Sequence, residues 1–298
     1  MGKKATIIVL YNPDINGLLH NVNIISGIVD YIIIIDNTPS EITRQKVKDS
    51  IFESCVNNET IFYSGCDNIG LSRAYNEGVE IINKKCDGVE AVLFLDQDSD
   101  VSHETLENLW QSYDFLIKNY NLGMVGACPV RVDGLAYRYS VKKSSLNLPT
   151  NLREVNRVIS SFSIVPLNVL NKLNGFYDDF FIDHIDNDFS RRCIKNNMIV
   201  VIDVNTKFIQ RIGESSLTLF GKHISPVSSP FRHYYQARNI ILSARRCGDK
   251  FVSTIPYLVK RAVVINLQGI FKGQFWVRNK YFILGLYHGI INKSGKLK

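Results

Sequence analysis

Leu93-Phe94-Leu95-Asp96-Gln97-Asp98-Ser99 is an apolar run that ends abruptly in two carboxylates one residue apart. The apolar part belongs to a strand-like Ala91 to Leu95, so Asp96 and Asp98 fall at its carboxyl end. Two oxygen-bearing side chains there suit a hard divalent cation. Mg²⁺ or Mn²⁺ takes a few carboxylates and completes its shell with phosphate oxygens. Alone, the triplet reads equally as a capped and solvated strand end, because Asp-x-Asp is frequent in turns.

Upstream, short β-branched runs alternate with amphipathic stretches: a strand Thr6 to Tyr11, a helical segment to about Val29, a strand Tyr31 to Asp36, a helix near Thr43 to Cys55 and a strand Thr60 to Tyr63. A helix Leu71 to Lys84, the strand Ala91 to Leu95, a helix from about His103 to Lys118 and a strand Met124 to Pro129 continue the rhythm. This alternation implies an α/β fold with a doubly wound, mostly parallel sheet, whose ligands sit beyond the carboxyl ends of the strands. Three polar strand ends should therefore share one edge: Tyr11-Asn12-Pro13-Asp14, Asp36-Asn37-Thr38 and Asp96-Gln97-Asp98. Asp36 is placed to accept hydrogen bonds from a ribose or base, with an Asx turn into Pro39 as the alternative. Between these ends, Asp67-Asn68-Ile69-Gly70-Leu71-Ser72-Arg73 reads as a loop entering a helix. Gly70 allows a tight turn there, the helix start offers N–H groups to a phosphate, and Arg73 adds charge. Neither a Gly-x-x-x-x-Gly-Lys-Ser/Thr loop nor a Gly-x-Gly-x-x-Gly after the first strand is present, which disfavours P-loop nucleotidases and ordinary NAD enzymes.

Downstream of Pro129 the chain turns irregular and polar to about Pro149, with Arg131, Arg138, Lys142 and Lys143. Val158 to Val165 then reads as a strand, Pro166 to Leu173 as a short helix, and Asn174-Gly175-Phe176 as its stop. A second acidic cluster follows, Phe180-Phe181-Ile182-Asp183-His184-Ile185-Asp186-Asn187-Asp188-Phe189. Helical spacing from Asp186 onward puts Asp183 and Asp186 at or before a helix N-terminus, where the dipole favours the ionised form. For Asp188, N-capping is the preferred reading. A metal-type pair and a separate carboxylate can divide leaving-group stabilisation from general-base work.

The 298 residues, 45% hydrophobic and 21% charged, suffice for one large α/β domain with an extension. We expect a catalytic domain over 1–215 and a helical C-terminal extension over 216–298. Six scattered cysteines without a Cys-x-x-Cys pair speak against a zinc site or disulfide framework and for a reducing cytoplasm. No signal-peptide pattern opens the chain, and no run reaches the roughly 20 apolar residues of a membrane span. Of the formal charge of +7, the whole excess lies in the tail: Lys250 to Lys298 holds nine Lys or Arg and no Asp or Glu. The tail is also aromatic and aliphatic, as in Gly269 to Phe282, which suits an anionic bilayer surface. A solvated basic helix packed on the domain is the alternative, and no nucleic-acid module motif appears.

Taken in order, Tyr11-Asn12-Pro13-Asp14, Asp36-Asn37, Asn68-Ile69-Gly70 with Asn76-Glu77-Gly78, Leu95 to Ser99, Gly175-Phe176, Phe181 to Asp186 and His233 to Asn239 resemble the rhamnosyltransferase-like branch of family 2 glycosyltransferases. The resemblance covers about residues 6 to 246 and implies a GT-A fold. It also implies inverting transfer from a nucleotide-diphosphate sugar, dTDP-L-rhamnose foremost, to a hydroxyl of a saccharide acceptor during bacterial cell-surface polysaccharide synthesis. The acceptor is expected to be undecaprenyl-diphosphate-linked and met at the inner face of the plasma membrane. By motif position Asp186 falls on the catalytic base, with Asp183 as runner-up or acceptor-orienting group. Asp96 and Asp98 fall on the diphosphate–metal motif, Asp98 as the more direct ligand, and Asp36 on the nucleoside-binding aspartate. Tyr11, Asn12, Asn37, Asn68, Gly70, Arg73, Asn76 and Gln97 complete the implied donor site, with Mg²⁺ or Mn²⁺ as cofactor. Where many relatives place a metal-binding His, this chain has Gln210, a poorer ligand for Mn²⁺-like ions, followed by Arg211, which offers charge compensation. Arg232, His233, Tyr235 and Arg238 lie in the region that closes over the diphosphate or meets the acceptor in relatives; pairing with core carboxylates is the alternative for Tyr235 and Arg238. A UDP-sugar donor (galactose, glucose, N-acetylglucosamine or galactofuranose) and a non-catalytic nucleotide-sugar-binding role remain open. A sugar-phosphate nucleotidyltransferase is disfavoured by Tyr11 to Asp14 standing where a Gly-rich basic loop belongs.

Overall fold

The computed structural model describes residues 2–54, 60–131, 134, 136–137, 139–144, 146–210, 215–219 and 222–297. The chain divides into two compact units, residues 1–177 with 189–210 and residues 178–188 with 211–298. The acidic segment 178–188, expected within 1–215, thus clusters with the C-terminal helices.

In the first unit the elements are β1 (Lys3–Leu10), α1 (Ile15–Ser26), β2 (Tyr31–Asp36), α2 (Glu41–Ser54), β3 (Ile61–Gly65), α3 (Leu71–Lys85), β4 (Val89–Asp96), α4 (His103–Asn119), β5 (Leu122–Val130), β6 (Leu152–Glu154), β7 (Ser163–Pro166), α5 (Leu167–Lys172) and β8 (Ile199–Ile209). The strands form one sheet in the order β3-β2-β1-β4-β7-β5-β8-β6. β1 to β4 are mutually parallel and β5 is parallel to β8, while β7 and β6 run antiparallel to their neighbours. This is the mostly parallel α/β sheet expected. Continuous burial along β2, Ile32 to Asp36, and throughout β5 explains their unbroken apolar character, because helices cover both faces of such strands.

Register puts the polar strand ends in line. Leu10 pairs with Asp36, Val9 with Asp96, and Asp36 with Gly65, so both aspartates terminate their strands at the same level of the sheet. Helix α3 leans on this edge through buried Ala74, Tyr75, Val79 and Ile82, an i, i+4 stripe.

One expectation needs correction. The strand expected over Val158 to Val165 is confined to Ser163–Pro166, because Ser160 to Phe162 form a turn: Phe162 has φ of 54° and Ser163 Oγ donates to the Ser160 carbonyl at 2.6 Å. The strand that leads to Gln210, β8, is interrupted where Ala127 faces Asp203 and Cys128 faces Lys207. At that bulge the Asp203 carboxylate accepts from the backbone N–H groups of Asn205 and Thr206 and from the hydroxyls of Ser112 and Thr206.

The second unit contains β9 (Ser215–Leu219) and β10 (Lys222–Val227), an antiparallel pair, followed by helices α7 (Arg232–Arg246), α8 (Ile255–Lys272) and α9 (Phe275–Ile290). Helix α6 (Ile185–Lys195) carries Asp186 and Asp188 in its first turn. No helix among the described residues is long and apolar enough to cross a membrane.

Candidate active site

In the first unit, Asp96 and Asp98 stand at the carboxyl end of β4, Asp96 partly buried and Asp98 exposed. Gln210, just past the end of β8, is brought beside them: its side-chain amide donates to Asp96 Oδ2 at 3.4 Å. Its backbone is pinned by bonds to Val130 O and from the Tyr137 hydroxyl. The buried Tyr75 hydroxyl reaches the other Asp96 oxygen at 3.5 Å. Desolvation first, and then the Asp98 carboxylate, push Asp96 up to about 6, against hydrogen bonds from Gln210, Ser161 and Tyr75 that favour its charged form. Beneath this end Tyr75, Phe94 and Phe176 pack edge to face or tilted at 4.9–5.2 Å between centroids, a stiff platform for the carboxylate.

Gln97, between the two aspartates, turns away from them. Its amide oxygen accepts from Tyr11 N at 2.6 Å and its amide nitrogen donates to Tyr11 O at 3.1 Å, so it clasps the end of β1 to the end of β4. The Tyr11 side chain is half exposed and Asn12, with φ of 48°, donates its N–H to Thr38 Oγ1.

Asp36 is fully buried, with its oxygens taken by the Thr38 N–H at 2.9 Å and the Tyr63 hydroxyl at 2.7 Å. Burial and this carboxylate raise the Tyr63 phenol, which therefore remains a proton donor. Asn37 ties the neighbouring loop: its amide donates to Gly70 O and accepts from the Cys66 thiol. Asn68 folds back to accept from Gly70 N at 3.1 Å, shaping the start of α3, where Arg73 is exposed. The Asn76 amide is committed to the backbone of Phe176, donating to its carbonyl and accepting from its N–H. Arg44, which no motif marked, holds the same edge by donating to Thr38 O, Pro39 O and Cys66 O and pairing with Asp67 at 3.6 Å.

In the second unit, Phe181, Asp183 and His184 adopt φ of 65°, 64° and 67°. Left-handed backbone at three non-glycine residues is costly, and two consecutive α7 residues hold it. Asn239 Nδ2 donates to the carbonyls of Phe180, Ile182 and Asp183, and Arg238 Nη2 donates to those of Asp179 and Phe180. Both side chains are completely buried. Arg232 grips Asp183 with two bonds, Nε to Oδ2 at 3.0 Å and Nη2 to Oδ1 at 2.6 Å. Asp186 begins α6, partly exposed, with Oδ1 accepting from Asn187 N. Asp188 is buried against the Ser243 hydroxyl at 2.9 Å rather than capping the helix.

His233 and Tyr235, expected to face a ligand, are enclosed. His233 Nε2 lies 2.9 Å from Arg278 Nη1, which can only donate, so Nδ1 carries the proton and donates to Gln236 Oε1. Burial lowers the imidazole to about 4, keeping it neutral. Tyr235 stacks on Phe181 at 5.2 Å and its hydroxyl accepts from Leu297 N. Arg238 pairs with backbone, not with a core carboxylate. Arg211 lies outside the described residues. Tyr63, Arg44, Ser161 and Asn239 had no spacing signal; Asn239 alone sat inside a quoted motif, as its last residue.

No family model matches the chain. It is 27% identical over 274 residues to the dTDP-rhamnosyl transferase RfbF of Shigella flexneri, an alignment spanning 88% of this chain and 84% of that relative. Two solved structures share its fold: a mannosyltransferase of Pyrobaculum calidifontis in complex with GDP-Man and Mn²⁺ (TM-score 0.59, 11% identity, 98% of this chain and 88% of that one) and GalNAc-T7 with UDP, GalNAc and Mn²⁺ (TM-score 0.61, 13% identity, 98% of this chain). The chain spans 56% of the length of GalNAc-T7. By fold this is a GT-A protein, and by sequence it is similar to a dTDP-rhamnosyl transferase.

Proposed function

We propose that this chain is an inverting glycosyltransferase that moves L-rhamnose from dTDP-L-rhamnose to a hydroxyl of a lipid-linked saccharide at the inner face of the plasma membrane. The observation that carries the reading is the pair Asp96 and Asp98 with Gln210 beside it, at a sheet edge shared with Asp36. The similarity to RfbF supports the choice of donor.

The residues fit a hard divalent cation. Two carboxylates close enough for one to raise the other are relieved by a positive charge, and an all-oxygen set suits Mg²⁺ or Mn²⁺. Asp98 and Asp96 would hold the ion, with Gln210 contributing its amide oxygen once that amide is turned over. When bound, the ion would neutralise charge on the departing diphosphate. Among the described residues no group of three or more His, Cys, Asp or Glu could hold a metal, so donor phosphate oxygens are needed to complete the shell. Metal and donor should therefore bind cooperatively.

In the transfer, the acceptor oxygen forms a bond to the anomeric carbon as the bond from that carbon to the diphosphate oxygen breaks and its electron pair leaves with the nucleotide. The acceptor proton goes to a carboxylate, which we assign to Asp186, because Asp183 is held in its two-bond pair by Arg232. Asn37 and the loop to Gly70 form the nucleoside side of the donor site, shaped from beneath by buried Asp36 through its bonds from Thr38 N and the Tyr63 hydroxyl, and Arg73 adds charge near it. Incubation with dTDP-rhamnose and the common UDP-sugars, with Mg²⁺, Mn²⁺ or EDTA, tests the reading. Selective, EDTA-sensitive turnover of dTDP-rhamnose supports it. Selective turnover of a UDP-sugar replaces the donor, binding without turnover in the presence of acceptor favours a non-catalytic role, and absence of binding overturns the whole reading.

A further inference from the structure

Helix α9 carries an apolar face outward in addition to the one it packs inward. Its outward stripe is Trp276, Lys280, Ile283, Tyr287 and Ile290, spaced four, three, four and three residues apart; Trp276 is 82% exposed and Ile283 63%. Its inward side holds Arg278, Gly285, His288 and Gly289 beside Phe282. Arg278 donates to Ser228 O and Gly273 O, and His288 Nδ1 meets the Tyr234 hydroxyl at 2.7 Å. At Gly285 a Cβ would collide with Tyr234 O, so the backbone of α9 lies directly against α7, with Tyr281, Phe282, Leu284 and Leu286 packing apolar side chains on the inward side. A helix folded onto a soluble domain carries apolar residues in and polar ones out, so the apolar exterior is the departure here.

Helix α8, which packs Leu258, Ala262 and Ile265 inward, likewise carries an apolar exterior. Ile255, Val259, Val263 and Ile270 form an exposed stripe, while Gln268 is buried and donates to Ser225 Oγ and Pro226 O. Phe251, Val252 and Phe271 add further exposed apolar surface at its ends. Lys250, Lys260, Lys272 and Lys280 are exposed among these residues, and the segment from Lys250 to Lys298 has no acidic residue. Isolated apolar side chains on a surface are ordinary, whereas two continuous stripes mark a surface that something covers.

We infer that α8 and α9 form a docking surface for an anionic lipid bilayer, lying in the interface with Trp276, Ile283 and Val263 below the headgroups and the lysines among them. The inference deepens the proposed action on a lipid-linked acceptor and rests on that reading for its purpose. Charge selects the occupant. A second copy joined about a two-fold axis would set a wholly basic surface against itself, whereas anionic headgroups complement it. Neither helix is long and apolar enough to span, so the mode is interfacial.

The test uses the intact protein with phosphatidylcholine vesicles, with and without about a third phosphatidylglycerol, and follows co-sedimentation and tryptophan emission. Trp110 is buried and Trp276 exposed, so a blue shift reports Trp276 alone. Binding to the anionic vesicles with a blue shift is expected. Lys280→Glu should lower partitioning about tenfold, and Ile283→Glu should do so comparably, with donor binding and urea stability unchanged in both. Failure of the wild type to bind anionic vesicles, equal binding by the variants, or dimerisation abolished by Ile283→Glu overturns the inference. Vesicle binding by a protein that engages no nucleotide sugar leaves the docking surface standing and sinks the transferase reading.

Discussion

Asn239→Ala removes the donor that holds three carbonyls of one loop, those of Phe180, Ile182 and Asp183, at 3.1, 2.9 and 2.9 Å. Left-handed backbone at Phe181, Asp183 and His184 costs about 1–2 kcal/mol per residue, or about 3–6 kcal/mol together. Against it stand five donated contacts from Asn239 and Arg238, each worth about 0.5–1.5 kcal/mol, or about 2.5–7.5 kcal/mol in all. The clamp and the strain nearly balance. Losing three of the five contacts, which share two amide hydrogens, should cost about 2–3 kcal/mol and release the loop that leads into Asp186. Urea unfolding should show a lowered midpoint at unchanged m-value, together with a fall in transfer rate. Asn239→Asp keeps the shape but points an acceptor at three carbonyls, and should be no more stable than the alanine variant. His184→Gly in the alanine background should restore about 1 kcal/mol, since glycine adopts positive φ freely. A cost below about 0.5 kcal/mol for Asn239→Ala, or a wild-type-like Asn239→Asp, would refute the clamp.

Other outcomes are equally specific. His233 titrates at about 4 when folded against an ordinary 6.5, so the unfolded chain takes up its proton first; stability is complete above about pH 6.5 and falls by about 3 kcal/mol as pH drops through 4. Urea midpoints measured across that window check this, and His233→Gln should flatten the slope. Gln210→His should tighten Mn²⁺ binding by about tenfold, read as a shift in the EDTA concentration that halves turnover. Arg44→Ala should cost about 1–3 kcal/mol in urea unfolding, because Thr38 O, Pro39 O and Cys66 O lose their shared donor.

The first half of the fold was legible because each strand of β1 to β4 is a short apolar run ended by a polar group, and the parallel register then aligns those ends. Legibility failed where tertiary contacts override local pattern. The three-residue β6 exists only by pairing with β8, and the Ser160 to Phe162 turn looks like strand because Ile159 and Phe162 are apolar. In the candidate site, residue type and rough position were readable but side-chain direction was not. Gln97 stands between two aspartates yet bonds to Tyr11, and Asn76 bonds to Phe176, because an amide can pair with both groups of a backbone at once. Arg238 carries a motif-like signal for ligand binding, but its guanidinium serves carbonyls 55 to 60 residues distant in sequence, a demand that no local pattern records. The unusual exterior of α9 was visible only as a basic, aromatic composition; the structure adds which face each residue takes.

Asp186→Asn tests the central claim most directly, with donor binding measured by calorimetry and transfer to a saccharide acceptor measured in parallel. The expected result is dTDP-rhamnose affinity within a few-fold of wild type and a transfer rate lower by about 10²–10⁴. Transfer from dTDP-rhamnose at near wild-type rate in the asparagine variant contradicts the assignment of the base.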